Sequence, residues 1–173
     1  AVRLTQNSAG VQGGGVNLHY AATSSRILNS LFDGSSAPTG AALFDTSSGA
    51  TAIQYSTFAS PTLGAGEAIV IDYANARLVN SIVASYTTAI TATNTYASVD
   101  SDYNLFYNTD VPVVTGTHSI NGQDPRFRDP AGGNYQLYGD SPAVGRALDI
   151  GVTTDLIGAA RPQGIGFDLG SFQ

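Results

Sequence analysis

Short apolar runs recur about every 25 residues along the first two thirds of the chain. Four segments align, at residues 27–32, 53–58, 78–83 and 101–106, with starts 26, 25 and 23 residues apart. Stacking them gives three columns: Phe32, Phe58, Val83 and Phe106; Leu31, Thr57, Ile82 and Leu105; and Ser30, Ser56, Ser81 and Asn104. Like residues that fall on like residues are typical of a solenoid, in which each repeat stacks on the next.

A second series of β-rich runs lies about halfway between these segments, at residues 15–18, 41–44, 68–71 and 89–92. Turn residues separate the two series, for example at 33–35 and 47–49. Each repeat therefore contains at least two short strands joined by turns.

This pattern predicts an all-β fold, a right-handed single-stranded parallel β-helix with a loop-rich C-terminal cap. We expect about four to five coils over residues 1–121, spaced ~4.8 Å apart by ordinary strand pairing. The Phe column would fill the interior, while Ser and Asn would hydrogen-bond along the axis. A β-sandwich with accidental internal similarity is the alternative. A leucine-rich repeat would need a Leu and Asn framework that the chain lacks.

The repeat decays after residue 110, and residues 122–173 are rich in Gly, Pro and Asp. Because X-Pro steps favour extended or turn geometry, we predict loops with short strands here. We expect this segment to be a C-terminal cap of the same domain that closes the end of the solenoid. Asp155, Arg161 and Asp168 would form ion pairs that fix its loops.

Charge excludes two classes of partner. All seven basic residues are Arg and the net charge is −6, so the chain offers no basic patch for nucleic acid or for an anionic membrane surface. No apolar run approaches the ~20 residues that cross a bilayer. Cysteine is absent, so no disulfide indicates the redox compartment. The chain starts at Ala1 without Met, and we expect upstream residues to have been removed.

The C-terminal segment resembles a known signature. Its runs are Asp-Pro-Arg-Phe-Arg-Asp-Pro (124–130), Gly-Asn-Tyr-Gln-Leu (133–137), Gly-Asp-Ser-Pro-Ala (139–143), 154–158, 161–163 and 167–172. This order is similar to the C-terminal region of bacterial β-helix surface proteins with a choice-of-anchor Q domain. The resemblance implies a parallel β-helix that is secreted or at the cell surface, and it implies no reaction. Gln173 stands where an acidic residue is usual, and the anchor that often follows this signature is missing, so the resemblance does not settle how the protein is anchored.

His19, Asp45 and Asp72 form the sharpest candidate site, because each follows the first strand run of its repeat. Placed on adjacent coils, they would project from one face about 5 Å apart. Paired carboxylates at that separation can cleave a glycosidic bond or bind Ca²⁺. The alternative is that the aspartates cap turns.

A second candidate is a calcium site at Asp100, Asp102 and Asn104, whose spacing starts like a calcium loop. Leu105 replaces the required Gly and Val111 the required Glu, which excludes an EF-hand. A looser ion site stays open. No other cofactor is expected. Tyrosines in the middle coils could stack on sugar rings.

Three functions follow from these observations. The first is a non-enzymatic extracellular structural or adhesive module, as a head-to-tail filament subunit or a fragment of a larger surface protein. The second is a polysaccharide lyase or glycoside hydrolase on a pectate-lyase-like fold, and the third is a passive carbohydrate-binding module. Expected partners are extracellular polysaccharide and, at the N-terminal end, another copy or upstream coils.

Overall fold

The computed structural model describes residues 1–20 and 23–173. Its strands form three parallel sheets and one antiparallel hairpin. The first sheet contains β2 (Val16–His19), β5 (Leu43–Thr46), β8 (Glu67–Ile71) and β11 (Thr88–Ala92). The second contains β3 (Ser25–Leu28), β6 (Ala50–Gln54), β9 (Asn75–Val79) and β12 (Ser98–Asp102). The third contains β1 (Arg3–Thr5), β4 (Leu31–Asp33), β7 (Thr57–Ala59), β10 (Ile82–Ala84), β13 (Leu105–Tyr107) and β14 (Ile120–Asn121). The hairpin is β15 (Phe127–Asp129) with β16 (Asn134–Leu137).

Each strand of the three sheets pairs with its equivalent one coil away. Successive coils are β2–β3–β4, β5–β6–β7, β8–β9–β10 and β11–β12–β13, with β1 and β14 extending the third sheet at either end. The chain is therefore a β-solenoid of about four turns, and the predicted fold class is confirmed. The part of the chain that the structure describes contains no helix able to cross a membrane.

The aromatic column lies inside the coils, as predicted. Phe32 stacks on Phe58 with ring centroids 4.5 Å apart and planes 10° from parallel. Val83 and Phe106 continue the column in register, and all four side chains are buried. Deeply buried, interlocking side chains of this kind supply most of the stabilising apolar burial in a small domain.

A hydrogen-bonded ladder runs along the corner between the second and third sheets. The backbone N–H of Ser30 donates to Ser56 Oγ, that of Ser56 to Ser81 Oγ, and that of Ser81 to Asn104 Oδ1. Each serine hydroxyl donates in turn to the carbonyl two residues before it. The predicted hydrogen bonding along the axis is thereby confirmed, and it satisfies backbone groups that a sharp corner would leave unpaired.

Residues 122–173, here called the flank segment, pack along the outer face of the third sheet. Leu169 lies against Ile82 and Leu105, and Phe172 lies against Leu31. Gly170 has a positive φ of 89°, and a Cβ there would come within 2.8 Å of Thr57 Oγ1. A glycine thus lets this backbone approach the sheet closely.

This placement differs from the expected cap over the end of the solenoid. The flank segment reaches from the first coil, where Tyr135 bonds Asp33, to the last strand, where Ile120 joins its apolar cluster. The physical reason is that parallel sheets are generally covered on both faces. The outer face of the third sheet is apolar and needs such a cover.

Candidate functional site

A pocket of about 370 Å³ lies between the third sheet and the flank segment, and we call it the flank pocket. It arises from an outward-facing column in which Asp33, Ala59, Ala84 and Tyr107 lie in register on successive coils. The two alanines fill little space between larger neighbours, so the flank segment bridges a hollow. Its volume is within the range of small-molecule sites.

Aromatic and proline rings form most of the pocket wall. Tyr107 comes from β13, Phe127 from β15, and Tyr138 follows β16. Phe127 packs edge-on against Tyr135, with ring centroids 5.0 Å apart. Tyr138 is half exposed, which leaves part of its ring open to solvent. Such rings present the flat apolar surfaces on which the C–H faces of a ligand can stack.

The charged rim of the pocket is built by a short local turn. Asp124 Oδ1 accepts a hydrogen bond from the backbone N–H of Arg126 at 2.7 Å. This contact holds Arg126 at a positive φ of 55°. Arg126 Nη1 then pairs with Asp140 Oδ2 at 2.7 Å, and the Arg126 carbonyl accepts from the backbone of Tyr138. The turn therefore places a carboxylate and a guanidinium beside the aromatic wall.

The floor is a buried phenol–carboxylate pair. Tyr135 donates its hydroxyl to Asp33 Oδ1 at 2.7 Å, and both side chains are buried. Desolvation raises the pKa of Tyr135 well above its ordinary value, and the neighbouring Asp33 raises it further. The pKa of Tyr86 is also raised, first by burial and then by Asp33. These phenols stay protonated and act as donors, so neither is available as a general base near neutral pH.

His19, Asp45 and Asp72 do not form the predicted column. The register pairs Leu18 with Asp45 and Asp45 with Ile71, so Asp72 is one residue out of step with Asp45. A one-residue offset turns a strand side chain to the opposite face. His19 instead aligns with Thr46, and its Nδ1 lies 3.1 Å from Thr46 Oγ1.

Asp45 and Asp72 have different surroundings. Asp45 is fully buried, and its Oδ1 accepts a hydrogen bond from the backbone of Ser47, so the turn role is realised there. Asp72 is partly exposed and accepts hydrogen bonds from the side chains of Thr93 and Asn94. The two carboxylates therefore do not face one common substrate.

Asp100, Asp102 and Asn104 are also separated. Asp100 pairs with Arg77 at 3.2 Å on the surface. Asp102 binds His118, and Asn104 is buried within the corner ladder. Asn104 Oδ1 is already an acceptor there, which leaves it unavailable as an ion ligand. The described residues contain no cluster of three or more His, Cys, Asp or Glu side chains placed to hold a metal ion.

The predicted ion pairs in the tail take another form. Arg161 is buried and donates to the backbone carbonyls of Asp168 and Gly170, at 3.0 and 2.7 Å. Asp168 accepts from the backbone of Gly145, and Asp155 from the backbone of three residues: Ile157, Ala159 and Gln173. Arg161 makes no ion pair with either carboxylate. These side chains fix the loops through backbone groups, because the buried turns carry more unpaired amides and carbonyls than charges.

Burial sets the electrostatics of this buried cluster. Desolvation lowers the pKa of Arg161, while Tyr55, Asp155 and Asp168 oppose that shift. The guanidinium lies 4.3 Å from the centre of the Tyr55 ring. Desolvation also raises the pKa of Tyr55 to about 12. A cation over an aromatic face is an expected way to stabilise a buried charge.

The tyrosines predicted to meet sugars divide into three groups. Tyr55 and Tyr86 are buried, and Tyr107 lines the flank pocket. Tyr73 and Tyr96 are exposed and stack on each other, with ring centroids 5.9 Å apart. Sequence reasoning did not single out Asp124, Arg126 or Tyr138. The available signal was the Asp-Pro turn at 124–125, followed by aromatic residues at 127, 135 and 138.

Comparison with protein-family models found no family that matches this chain, and searches of curated proteins and solved structures found no match either.

Proposed function

We propose that this protein is a non-enzymatic extracellular adhesive module that holds carbohydrate in the flank pocket. The observation that carries the proposal is an aromatic-walled pocket with a carboxylate and a guanidinium at its rim. Sugar rings combine apolar C–H faces with hydroxyl groups, and this lining offers a partner for each. Tyr107 and Tyr138 would stack on the ring faces, while Asp124 and Arg126 would bind hydroxyls.

The chemistry of the floor supports binding without turnover. A glycosidase or lyase needs an acid and a base whose pKa values suit proton transfer near neutral pH. The phenol of Tyr135 is instead kept protonated by burial and by Asp33. Asp33 already accepts the Tyr135 hydroxyl. This pair supports a fixed, preorganised wall for a ligand.

The extracellular location rests on the sequence. The order of the motifs at 124–172 resembles secreted surface proteins, and the low content of charged residues, 12%, suits a solenoid rich in Ser and Thr. A stack of hydrogen-bonded coils is a rigid support that would present a ligand at a defined distance from a cell surface. Antibody labelling of intact cells of the source organism would test this location, and labelling only after lysis would contradict it.

Binding of neutral oligosaccharides tests the proposed function directly. We expect an array of neutral glycans to identify a ligand, and isothermal titration calorimetry to give its Kd. Tyr138→Ala should weaken binding roughly tenfold, because an aromatic stacking contact is worth about 1 kcal/mol. Asp124→Asn should weaken it by a similar factor, since a charge-assisted hydrogen bond becomes a neutral one.

Tyr20→Ala is the matched control, because Tyr20 is a more exposed tyrosine, at 78%, outside the flank pocket. It should leave the Kd unchanged. Equal losses in Tyr20→Ala and Tyr138→Ala would contradict the pocket assignment. Chromatography of the ligand after long incubation should show no shorter product. Cleavage that disappears in Asp124→Asn would replace the adhesive function with an enzymatic one.

A further inference from the structure

A strip of four aligned residues crosses the outer face of the second sheet. Arg26, Ala52, Arg77 and Asp100 lie in register on β3, β6, β9 and β12. We call these residues the arginine strip. The two arginines are two coils apart, a separation of about 10 Å, and Ala52 is the residue between them. The strip thus places two cations on either side of a notch.

Each arginine is anchored at one point. Arg26 Nε donates to Gln54 Oε1 at 2.7 Å, and Arg77 Nε pairs with Asp100 Oδ2 at 3.2 Å. These contacts use the Nε–H groups and fix the planes of both guanidinium groups. The terminal Nη atoms of both arginines make no hydrogen bond or ion pair with the described residues. A planar guanidinium with two free nitrogens suits a carboxylate.

The floor of the notch is small and uncharged. Ala50 and Ala52 line it, Asn75 and Ser98 lie beside it, and the hollow measures about 550 Å³. Asn75 Oδ1 accepts a hydrogen bond from the Ser98 hydroxyl. The notch contains no aromatic ring and only one carboxylate, Asp100, which already pairs with Arg77. Charge and hydrogen bonding, not stacking, would therefore govern binding here.

We propose that the arginine strip binds a linear polysaccharide that carries carboxylates, with its chain along the solenoid axis. One carboxylate would meet Arg26, a second would meet Arg77, and the sugar between them would lie over Ala52. Asn75 and Ser98 would face its hydroxyls. The site is on another sheet from the flank pocket and does not depend on it.

The net charge of −6 does not prevent this binding. Exposed charges farther away than about 8 Å are largely screened at physiological ionic strength. The groups nearest the ligand are the two guanidinium groups and Asp100, and Arg77 neutralises Asp100. The same argument predicts that affinity will fall as salt rises, because the interaction is between exposed ions.

Titration with a linear oligouronate, and with a neutral oligosaccharide of equal length, tests the proposal. Arg26→Gln and Arg77→Gln should each weaken oligouronate binding about tenfold, as expected for loss of one charge-assisted contact. Ala52→Glu places a carboxylate between the two guanidinium groups and should abolish binding. Oligomers too short to span two coils should bind like the single-arginine variants.

Arg146→Gln is the matched control, because Arg146 is an exposed arginine of the flank segment, and it should leave affinity unchanged. Tyr138→Ala should also leave it unchanged, which separates this site from the flank pocket. Full affinity in Arg26→Gln or in Ala52→Glu would overturn the proposal. Tighter binding of a poly-glutamate peptide or of a sulfated polysaccharide than of the oligouronate would overturn the assigned ligand class.

Discussion

At the residue scale, the corner between the second and third sheets shows how one position accepts different side chains. Asn29, Tyr55, Asn80 and Tyr103 occupy it on successive coils, all with φ between 46° and 58°. Asn tolerates this left-handed conformation, whereas Tyr is strained in it. Tyr55 gains a hydrogen bond to the Leu148 carbonyl, and Tyr103 stacks on His118 with ring centroids 4.2 Å apart. These contacts offset the strain, and they come from distant parts of the chain that the local sequence does not reveal.

The Asp102–His118 pair joins a late loop to the last coil. Asp102 Oδ2 lies 2.8 Å from His118 Nδ1, and Oδ1 accepts from the backbone of Tyr103 and of His118. Desolvation alone would raise the pKa of Asp102. The hydrogen bonds from His118 and from these amides outweigh it and hold the pKa below its ordinary value of 3.8.

This lowered pKa predicts how stability depends on pH. A carboxyl group whose folded pKa is depressed stabilises the protein above its unfolded pKa, and this contribution is lost as pH falls through the folded pKa. Asp102→Asn should therefore lower the free energy of unfolding by about 1 kcal/mol at neutral pH. The difference should vanish below the folded pKa. Urea unfolding across the acidic range would measure it.

Asp110→Asn provides the control, since Asp110 is an exposed aspartate of the same loop. It should leave the free energy of unfolding nearly unchanged at every pH. A constant difference between Asp102→Asn and the parent from neutral to strongly acidic pH would contradict the assignment, because it would show that the carboxylate charge is not the stabilising feature.

At the element scale, both faces of the third sheet are buried. The Phe32 column faces the interior, and the neighbouring column that starts at Leu31 faces the flank segment. Two adjacent columns of apolar residues in one short strand were visible in the sequence. They indicate a strand covered on both sides. The repeat therefore contained the information that a cover exists, whereas the position of that cover along the side depends on contacts such as Leu169 with Leu105.

Removal of residues 122–173 should expose this outer face. We expect the chain 1–121 to aggregate, because Leu31, Ile82 and Leu105 would form an exposed apolar patch. Size-exclusion chromatography and circular dichroism would report aggregation and loss of structure. A shortened chain that stays folded, soluble and monomeric would contradict this cover role.

A matched variant of the shortened chain separates exposure from misfolding. Thr57 lies in the same outward column as Leu31 and Ile82, so threonine fits this position. Replacing Leu31, Ile82 and Leu105 with Thr in the 1–121 chain should restore solubility. Persistent aggregation of that variant would mean that the flank segment is needed for more than covering apolar side chains.

At the scale of the whole molecule, repetition made the fold predictable and left the candidate site unpredictable. Each coil repeats the last, so local columns such as Phe32 on Phe58 define the solenoid. The flank pocket instead joins Ala59 and Tyr107 of the coils to Tyr138 of the flank segment. No periodic signal connects those positions. The same limit explains the Asp45 offset, because Asp45 and Asp72 are 27 residues apart while the local register repeats every 26.

One end of the solenoid carries open strand edges. β1, β2 and β3 are each the outermost strand of their sheets. Ile27 and Leu4 at this end are only partly buried, whereas Ile53 in the next coil is fully buried. Unpaired strand edges beside an exposed apolar interior are a template for pairing with another chain. We therefore propose that the 173-residue chain associates with itself through this end.

Leu4→Lys should disrupt this association. Leu4 lies in register with Phe32 and packs on the apolar core, so a lysine there adds an inward-pointing charge to an edge strand. Natural sheets use inward-pointing charges to prevent edge-to-edge pairing. Sedimentation velocity should show the parent chain increasing in mass with concentration and Leu4→Lys remaining a monomer. Val114→Lys adds the same charge at a residue that is 91% exposed on a loop, and it should associate like the parent. A parent chain that stays monomeric at high concentration would contradict the proposal, as would equal loss of association in both variants, because charge alone would then account for it.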